Sequence, residues 1–323
     1  MTGYTPSAPG VLLAVGGAAA VLFAVGFRLQ LSAGRSALWA SRLLAVLTVA
    51  ATSVALSAEA AGVRMIALSS LLLMAMKAVV GVEVRRVGRP ALVFRSWLAF
   101  AGGWLGMQPR AFERRRVARS REGVWLLLRA SLLWVAVGGS ALLSLRWLYG
   151  SIGSSHWWLC CMLALVALSM ILHFGWIGLH AALLRMLGFP VEPQFRAPWL
   201  SQSLREFWAK RWNLAFSTMT QLVIYRPLAG RVGAGVATAS GFLASGLLHE
   251  VGCSLPVDAA YGWPTAYFAL HALAVWIEDA LRARGVRVAG PWGRLWTYLW
   301  LLLPVSWLFH DAFLRGVIEP VLR

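Results

Sequence analysis

Charge is scarce in this chain, and it is unevenly spread. Only 13% of the 323 residues are Asp, Glu, Lys or Arg, and lysine occurs just twice, at Lys77 and Lys210. Cysteine is scarcer still: Cys160, Cys161 and Cys253 are the full set, two of them adjacent in an apolar run. That number and spacing exclude a disulfide framework and a thiolate metal site, so the three read as small core residues. There is no Gly-rich phosphate loop, no G-x-S-x-G elbow and no Cys/His pair at nucleophile spacing. These absences argue against a covalent intermediate on a Ser or Cys nucleophile. No long polar linker, low-complexity stretch or internal repeat interrupts the chain. It therefore reads as one membrane domain over 1–323, with N-terminal spans and a basic segment in 1–190 and the motif-bearing part in 191–323. The opening MTGYTPSAPG holds no Lys or Arg and no small-residue cleavage site follows, so the first apolar run is expected to stay in the protein.

What the chain does have is apolar surface. With 59% hydrophobic residues and a mean hydropathy of +0.69, it exceeds what one soluble core can hide. An all-α polytopic membrane protein follows, since a helix satisfies its own backbone in lipid. Runs long enough to cross about 30 Å of hydrocarbon fall near 10–27, 43–58, 63–80, 123–149, 157–184, 232–252, 263–281 and 295–314, which predicts about eight crossings.

The formal net charge is +18, yet the cations are not gathered on an aromatic-interleaved patch, which argues against nucleic acid. They sit in alternate connectors. With the N-terminus outside, Arg28, Arg35 and Arg42, then Arg85, Arg86 and Arg89, then 185–231 and 282–294 share one side. The connectors around Glu59, 150–156 and 253–262 hold no Lys or Arg. This is the positive-inside pattern. It holds if 93–107 does not cross, so 91–122 is read as an interfacial or re-entrant piece. Arg114, Arg115, Arg116, Arg119 and Arg121 then anchor it to anionic headgroups, or capture the phosphates of a cytoplasmic nucleotide such as a CoA. Arg-over-Lys bias and compact length point to a bacterial cytoplasmic membrane.

Two segments carry possible chemistry. In SLREFWAKRWNLAFS, residues 203–217, Ser203 and Glu206 are spaced as a capping box, predicting a helix start at Ser203. At helical spacing Leu204, Phe207, Trp208, Trp212 and Ala215 share a face, while Arg205, Glu206, Lys210 and Asn213 look elsewhere. This resembles an interfacial amphipathic helix. Arg211 projects from the middle of the apolar face, where it must snorkel, pair with a carboxylate or meet an aqueous cavity.

Along 232–252, Ala237, Gly241, Ser245, His249 and Cys253 recur every four positions. One reading is close helix packing through small residues. The other is a proton-transferring imidazole at membrane depth, with Glu250 directly after it. The remaining histidines are weaker candidates. His173 and His180 share a helix face without a third ligand, so no metal site is expected. His271 is alone in an apolar helix, His310 with Asp311 is interfacial, and His156 sits in an aromatic belt beside Trp157 and Trp158.

The run from Pro198 through S-x-x-x-F-W-x-x-R-W-N and Y-R-P to F-L-x-S-G-x-x-H-E resembles the membrane-bound O-acyltransferase superfamily, and within it the wax synthase branch. The likeness covers about 60 residues, Pro198 to Cys253; the first five spans share only hydropathy. It implies a membrane fold with a central tunnel and acyl transfer from acyl-CoA to a lipid alcohol. The alternatives within the class are a sterol or a diacylglycerol acceptor. It also implies that His249 is catalytic and that Asn213 supports it, as orienter or as oxyanion donor. Phe207, Trp208, Arg211, Trp212, Gly241, Ser245 and Glu250 are the substrate-binding candidates, and Arg205 and Lys210 are candidates for the CoA phosphates. Leu214 stands where more distant members often have proline, which favours the wax-ester branch. No permanently bound cofactor is expected; acyl-CoA is a co-substrate, and the partners are acyl-CoA, lipid alcohol and membrane lipid. A lipid transporter or a non-catalytic membrane protein is the rival reading of another class.

Overall fold

The computed structural model describes residues 2–113, 121–286 and 288–323, with backbone alone at Thr2, Arg121 and 152–154. Arg114, Arg115, Arg116 and Arg119 of the basic cluster, and the side chain of Arg121, lie outside the described residues, so both readings of that cluster stay with the sequence. The described elements are helical. Two compact units are present, Met1–Pro193 with Phe313–Arg323, and Gln194–Ala312.

The first unit opens with α1 (Pro9–Leu29), α2 (Arg35–Ala55) and α3 (Ala61–Arg86). A half-buried ion pair, Arg42 to Glu83 at 2.8 Å, joins α2 to α3. The stretch expected to be re-entrant forms α4 (Phe94–Trp97), a π turn (Leu98–Gly102) and a 3-10 turn (Pro109–Phe112). None of these is long enough to cross a bilayer. Three contacts hold the stretch inside the unit. Gln30 exchanges two 2.9 Å hydrogen bonds with the backbone of Leu92. Trp97 donates to the Phe23 carbonyl at 3.1 Å. The buried ammonium of Lys77 donates to the carbonyls of Trp104 and Gly106 at 2.7 and 2.5 Å and lies 4.1 Å from the Phe100 ring centre.

Next comes α5 (Arg121–Ser169), broken at His156, where φ and ψ (−125°, 27°) leave the helical region. A π segment (Met170–Trp176) leads into α6 (Ile177–Met186). The unit is completed by the last residues of the chain. Tyr4 donates to the Val317 carbonyl at 2.6 Å, Arg146 donates to the Val321 carbonyl at 2.9 Å, and Tyr149 donates to Glu319 at 2.5 Å.

The second unit holds α7 (Leu204–Glu206), α8 (Leu214–Thr220), α9 (Arg226–His249), α10 (Trp263–Ala283), α11 (Gly290–Leu302) and α12 (Val305–Leu308). Within α9 the chain breaks at Gly233, whose φ of 83° requires glycine, so the straight run begins where the sequence places the start of its sixth span. A Cβ on Gly246 would come within 2.7 Å of the Thr265 Cα, so glycine is what lets α9 and α10 approach this closely.

Among the described residues six helical stretches are long and apolar enough to cross a membrane: 9–29, 35–55, 61–86, 122–151, 155–186 and 214–254. The broken pair Gly290–Leu308 and Asp311–Leu322 makes a seventh if it is taken as one span. The expectation of about eight adds 263–281 to these. The residues 263–281 do form a helix, α10, but Pro264, His271, Glu278 and Asp279 dilute its apolar character. The protein is an integral membrane protein of all-α architecture.

Candidate active site

The site is built within the second unit. Ser203 caps α7 as its spacing predicts, with its hydroxyl accepting the Glu206 amide at 3.0 Å. Glu206 reaches back to the Gln202 amide at 2.9 Å, one residue before the usual capping-box position. A second carboxylate completes this end. The buried Glu278 of α10 accepts the amides of Leu204 and Arg205 at 2.6 and 3.1 Å, and the Trp296 indole N–H at 2.9 Å. A carboxylate there meets the unpaired amides that every helix start presents.

After Glu206 the chain widens into a π turn, Phe207–Arg211, closed by the Trp212 amide on the Phe207 carbonyl at 2.8 Å. The widening changes which residues share a face. Arg211 leaves the apolar side and binds Glu206, Nε to Oε1 at 2.7 Å, and donates to the carbonyls of Arg196 and Ala197 at 3.3 Å. Arg205 pairs with Asp279, and Lys210 is exposed. Partial burial pushes the Glu206 carboxyl up, but the Gln202 amide and the Arg211 guanidinium, with Lys210 adding a little, outweigh it and hold the group below the usual carboxylate range.

The apolar members come together as the sequence suggests. Leu204 and Phe207 are buried with Ala274, Val275 and Leu301, and Trp208, Trp212, Phe242 and Trp300 pack around them. Phe207 stacks on Trp212 with centroids 5.5 Å apart and meets Trp208 edge-on at 4.9 Å. Ala215 belongs to the next helix, because the chain turns at Asn213.

Asn213 sits in the left-handed region, φ 45°, which asparagine tolerates better than most residues. Its Oδ1 accepts the Phe216 amide at 3.3 Å, so it is the N-cap of α8. Among the described residues no hydrogen bond joins Asn213 to His249.

On α9, Ala237, Gly241 and Ser245 are buried, as is Cys253 beyond its end. A Cβ at Gly241 would meet the Thr220 methyl at 2.8 Å, so this face packs closely on α8. His249 ends the regular helix, half-buried, and Glu250 opens a π turn, Glu250–Ser254. His249 Nδ1 lies 2.7 Å from the Ser245 carbonyl. Only a protonated nitrogen can donate to a carbonyl, so Nδ1 carries the hydrogen and the neutral ring presents Nε2 as a bare base. The ring lies 4.4 Å from that of Phe268. Glu250 turns to the start of α10, where Oε1 accepts from the amides of Gly262 and Thr265 and from the Thr265 hydroxyl at 3.1, 3.0 and 2.7 Å.

Phe268 links the two segments, 4.4 Å from His249 and 5.3 Å from Trp208. His271 is far from alone in its helix: its ring lies 4.1 Å from Tyr267 and 5.5 Å from Trp208. Sequence reasoning did not name Phe268 and set His271 aside as a lone histidine. The available signal was their place on the arm of a helical hairpin opposite His249. A pocket of about 300 Å³ opens elsewhere, lined by Gln202, Ser203, Glu278, Arg282, Val286, Val288 and Ala289, and it contains none of the sequence-predicted site residues.

Residues 191–270 match the membrane bound O-acyl transferase family. The match covers about a quarter of the chain. It contains every sequence-predicted site residue from Arg205 to Glu250, together with Phe268, and His271 follows directly after its end. The chain is 32% identical over 146 residues to the probable long-chain-alcohol O-fatty-acyltransferase 2 of Arabidopsis thaliana, with 41% of each chain covered. It is 30% identical over 145 residues to the long-chain-alcohol O-fatty-acyltransferase of Simmondsia chinensis, again with 41% of each covered. Identity to the acyl-CoA–sterol O-acyltransferase 1 of Arabidopsis thaliana is 26% over 157 residues, 44% of this chain and 45% of that one. The chain thus spans about two fifths of the length of these relatives.

Proposed function

We propose that the chain is an acyl-CoA-dependent O-acyltransferase that esterifies the hydroxyl of a long-chain alcohol, with His249 as general base. The observation that carries the reading is the His249 Nδ1 to Ser245 carbonyl contact, 2.7 Å, which in the neutral ring leaves Nε2 as the acceptor nitrogen beside the Phe268 ring. In the proposed step Nε2 takes the proton of the alcohol as its oxygen attacks the thioester carbonyl. The tetrahedral intermediate collapses, the carbon–sulfur bond breaks, and the leaving thiolate recovers the proton from the imidazolium. General base assistance of this kind supplies about 10² to 10⁴ in rate.

Because Asn213 Oδ1 is used as a helix cap, the side chain's remaining polar group is Nδ2–H, a donor, as an oxyanion needs. This supports the oxyanion role over the orienting one. Arg205 and Arg211 are engaged by Asp279 and Glu206, so exposed Lys210 is the CoA phosphate candidate with the fewest competing partners. Phe207, Trp208 and Trp212, with the Gly241 and Ser245 face, would keep the acyl chain from water and limit thioester hydrolysis. A sterol acceptor is the second reading, favoured by the likeness to the sterol acyltransferase. The setting is a cellular membrane; the bacterial cytoplasmic membrane is an expectation from arginine bias and compact length, to which the plant relatives add nothing.

The test is ester formation by the purified protein in nanodiscs, given labelled long-chain acyl-CoA and, separately, hexadecanol, a sterol or a diacylglycerol. Ester from hexadecanol, lost in a monodisperse His249→Ala variant, is the expected result. Ester from the sterol alone moves the reading to that acceptor. No ester and no CoA release from any acceptor overturns the enzyme reading in favour of a transport or binding role.

A further inference from the structure

Among the described residues, two neighbouring rings beside the His249 wall each hold a buried polar atom without a hydrogen-bond partner: Trp208 Nε1 and His271 Nδ1. His271 is fully buried on α10. Its Nε2 lies 2.9 Å from the Trp300 carbonyl, so Nε2 carries the hydrogen and Nδ1 is a bare acceptor. The indole Nε1 is a donor only. The ring centroids are 5.5 Å apart with planes tilted by 45°, and the two atoms do not bond to each other. Buried polar groups are normally paired, and one left bare costs stability until something fills the place.

A hydroxyl is the simplest group that satisfies both. Its hydrogen serves Nδ1 and its lone pair accepts from Nε1–H. A thioester or ester carbonyl would satisfy the indole and leave the imidazole bare; an ammonium would do the reverse. The surroundings favour a hydroxyl on an apolar body. Tyr267 lies 4.1 Å from His271, and Phe268, Phe207 and Phe242 lie 5.3, 4.9 and 6.4 Å from Trp208.

We propose that Trp208 and His271 form the hydroxyl-reading subsite that selects the acyl acceptor, a long-chain or polycyclic alcohol, one ring away from His249 across Phe268. This rests on the acyltransferase reading for its role, but the subsite binds alcohol without turnover. The alcohol is held there by its hydroxyl and passes to Nε2 of His249 for the transfer itself.

The test is equilibrium binding of tritiated hexadecanol to the protein in nanodiscs without acyl-CoA, with unlabelled hexadecanol and hexadecyl methyl ether as competitors. The ether keeps the lone pair and lacks the hydrogen. The expected result is competition by the alcohol and about tenfold weaker competition by the ether. Trp208→Phe should weaken hexadecanol binding about tenfold at unchanged thermal midpoint, and His271→Leu should weaken it about as much while lowering the midpoint, because it also removes the donor to the Trp300 carbonyl. With acyl-CoA added, they should raise KM for the alcohol while KM for acyl-CoA stays constant. Equal competition by the ether overturns the proposal, and needs no variant to fold. So does wild-type affinity in both variants, which would mean the two atoms share only a trapped water. Absence of ester in the wild type, with the binding pattern intact, would sink the enzyme reading and leave the subsite standing.

Discussion

Glu206 and Arg211 form an ion pair at 2.6 Å although five residues separate them. On an α-helix such neighbours point well apart, since partners there are three or four residues distant. The π turn between them supplies the missing rotation, so an arginine that a helical wheel places among tryptophans ends up beside a carboxylate. Arg211 also donates to the 196–197 carbonyls, tying the approaching segment to the turn.

This pair makes stability pH-dependent. The folded Glu206 carboxyl lies below its usual value, so its contribution is complete above the ordinary carboxylate range near about 4 and is lost as pH falls through the depressed folded value. The thermal midpoint in nanodiscs should fall on acidification below that range, and Glu206→Gln should lower the midpoint at pH 7 while flattening the acid slope. An acid slope unchanged in the variant would assign it to other carboxylates.

Asn213 combines a cap and a left-handed backbone, and substitutions separate the two. Asn213→Asp keeps both, so its midpoint should match the wild type. Asn213→Ala loses the cap and strains the backbone, at a cost of about 2 kcal/mol. If Nδ2–H serves the oxyanion, Asn213→Asp should abolish ester formation without loss of stability; full activity in that variant would remove Asn213 from the chemistry.

Gly241 and Gly246 predict an ordering. A methyl at Gly246 runs into the Thr265 backbone, whereas one at Gly241 meets the Thr220 methyl, the end of a side chain. Gly246→Ala should therefore destabilise more than Gly241→Ala, by about 1–3 kcal/mol against less than that. Denaturation of the two variants side by side reads the order directly, and equal midpoints would contradict it.

Lys77→Met should loosen 98–112 rather than unfold α3. It leaves the Trp104 and Gly106 carbonyls without their donor, at about 1–3 kcal/mol. Hydrogen exchange across 104–107 should quicken while the amides of α3 stay protected; quickening throughout α3 would show instead that the ammonium supports the whole span.

The long helices were legible because lipid demands uninterrupted apolar runs, and the Ser203 cap because it is a local rule. The non-crossing of 94–112 was legible from the basic residues after it. The π turns were not, since apolar periodicity encodes shared faces under an assumed α geometry; Arg211 was placed on the wrong face for that reason. His271 was passed over because each helix was read by itself, while its neighbours Trp208 and Trp300 come from other elements. Glu278 and Asp279 lowered the apolar character of α10 without explanation until their partners at 204–205 were seen. Phe207, Trp208 and Trp212 do gather, whereas Asn213 and His249 share no hydrogen bond among the described residues.

The first unit is closed by 313–323, which follows the whole of 194–312 in the chain. Residues of 313–323 supply the partners of Tyr4, Arg146 and Tyr149. The segment bearing His249 is consequently a closed loop, fastened at both ends to one folded body. If it melts while that body holds, it gains only the entropy of a tethered loop, less than that of a free tail. The covalent path of the chain thus acts on the segment bearing His249 as a crosslink does, without a disulfide.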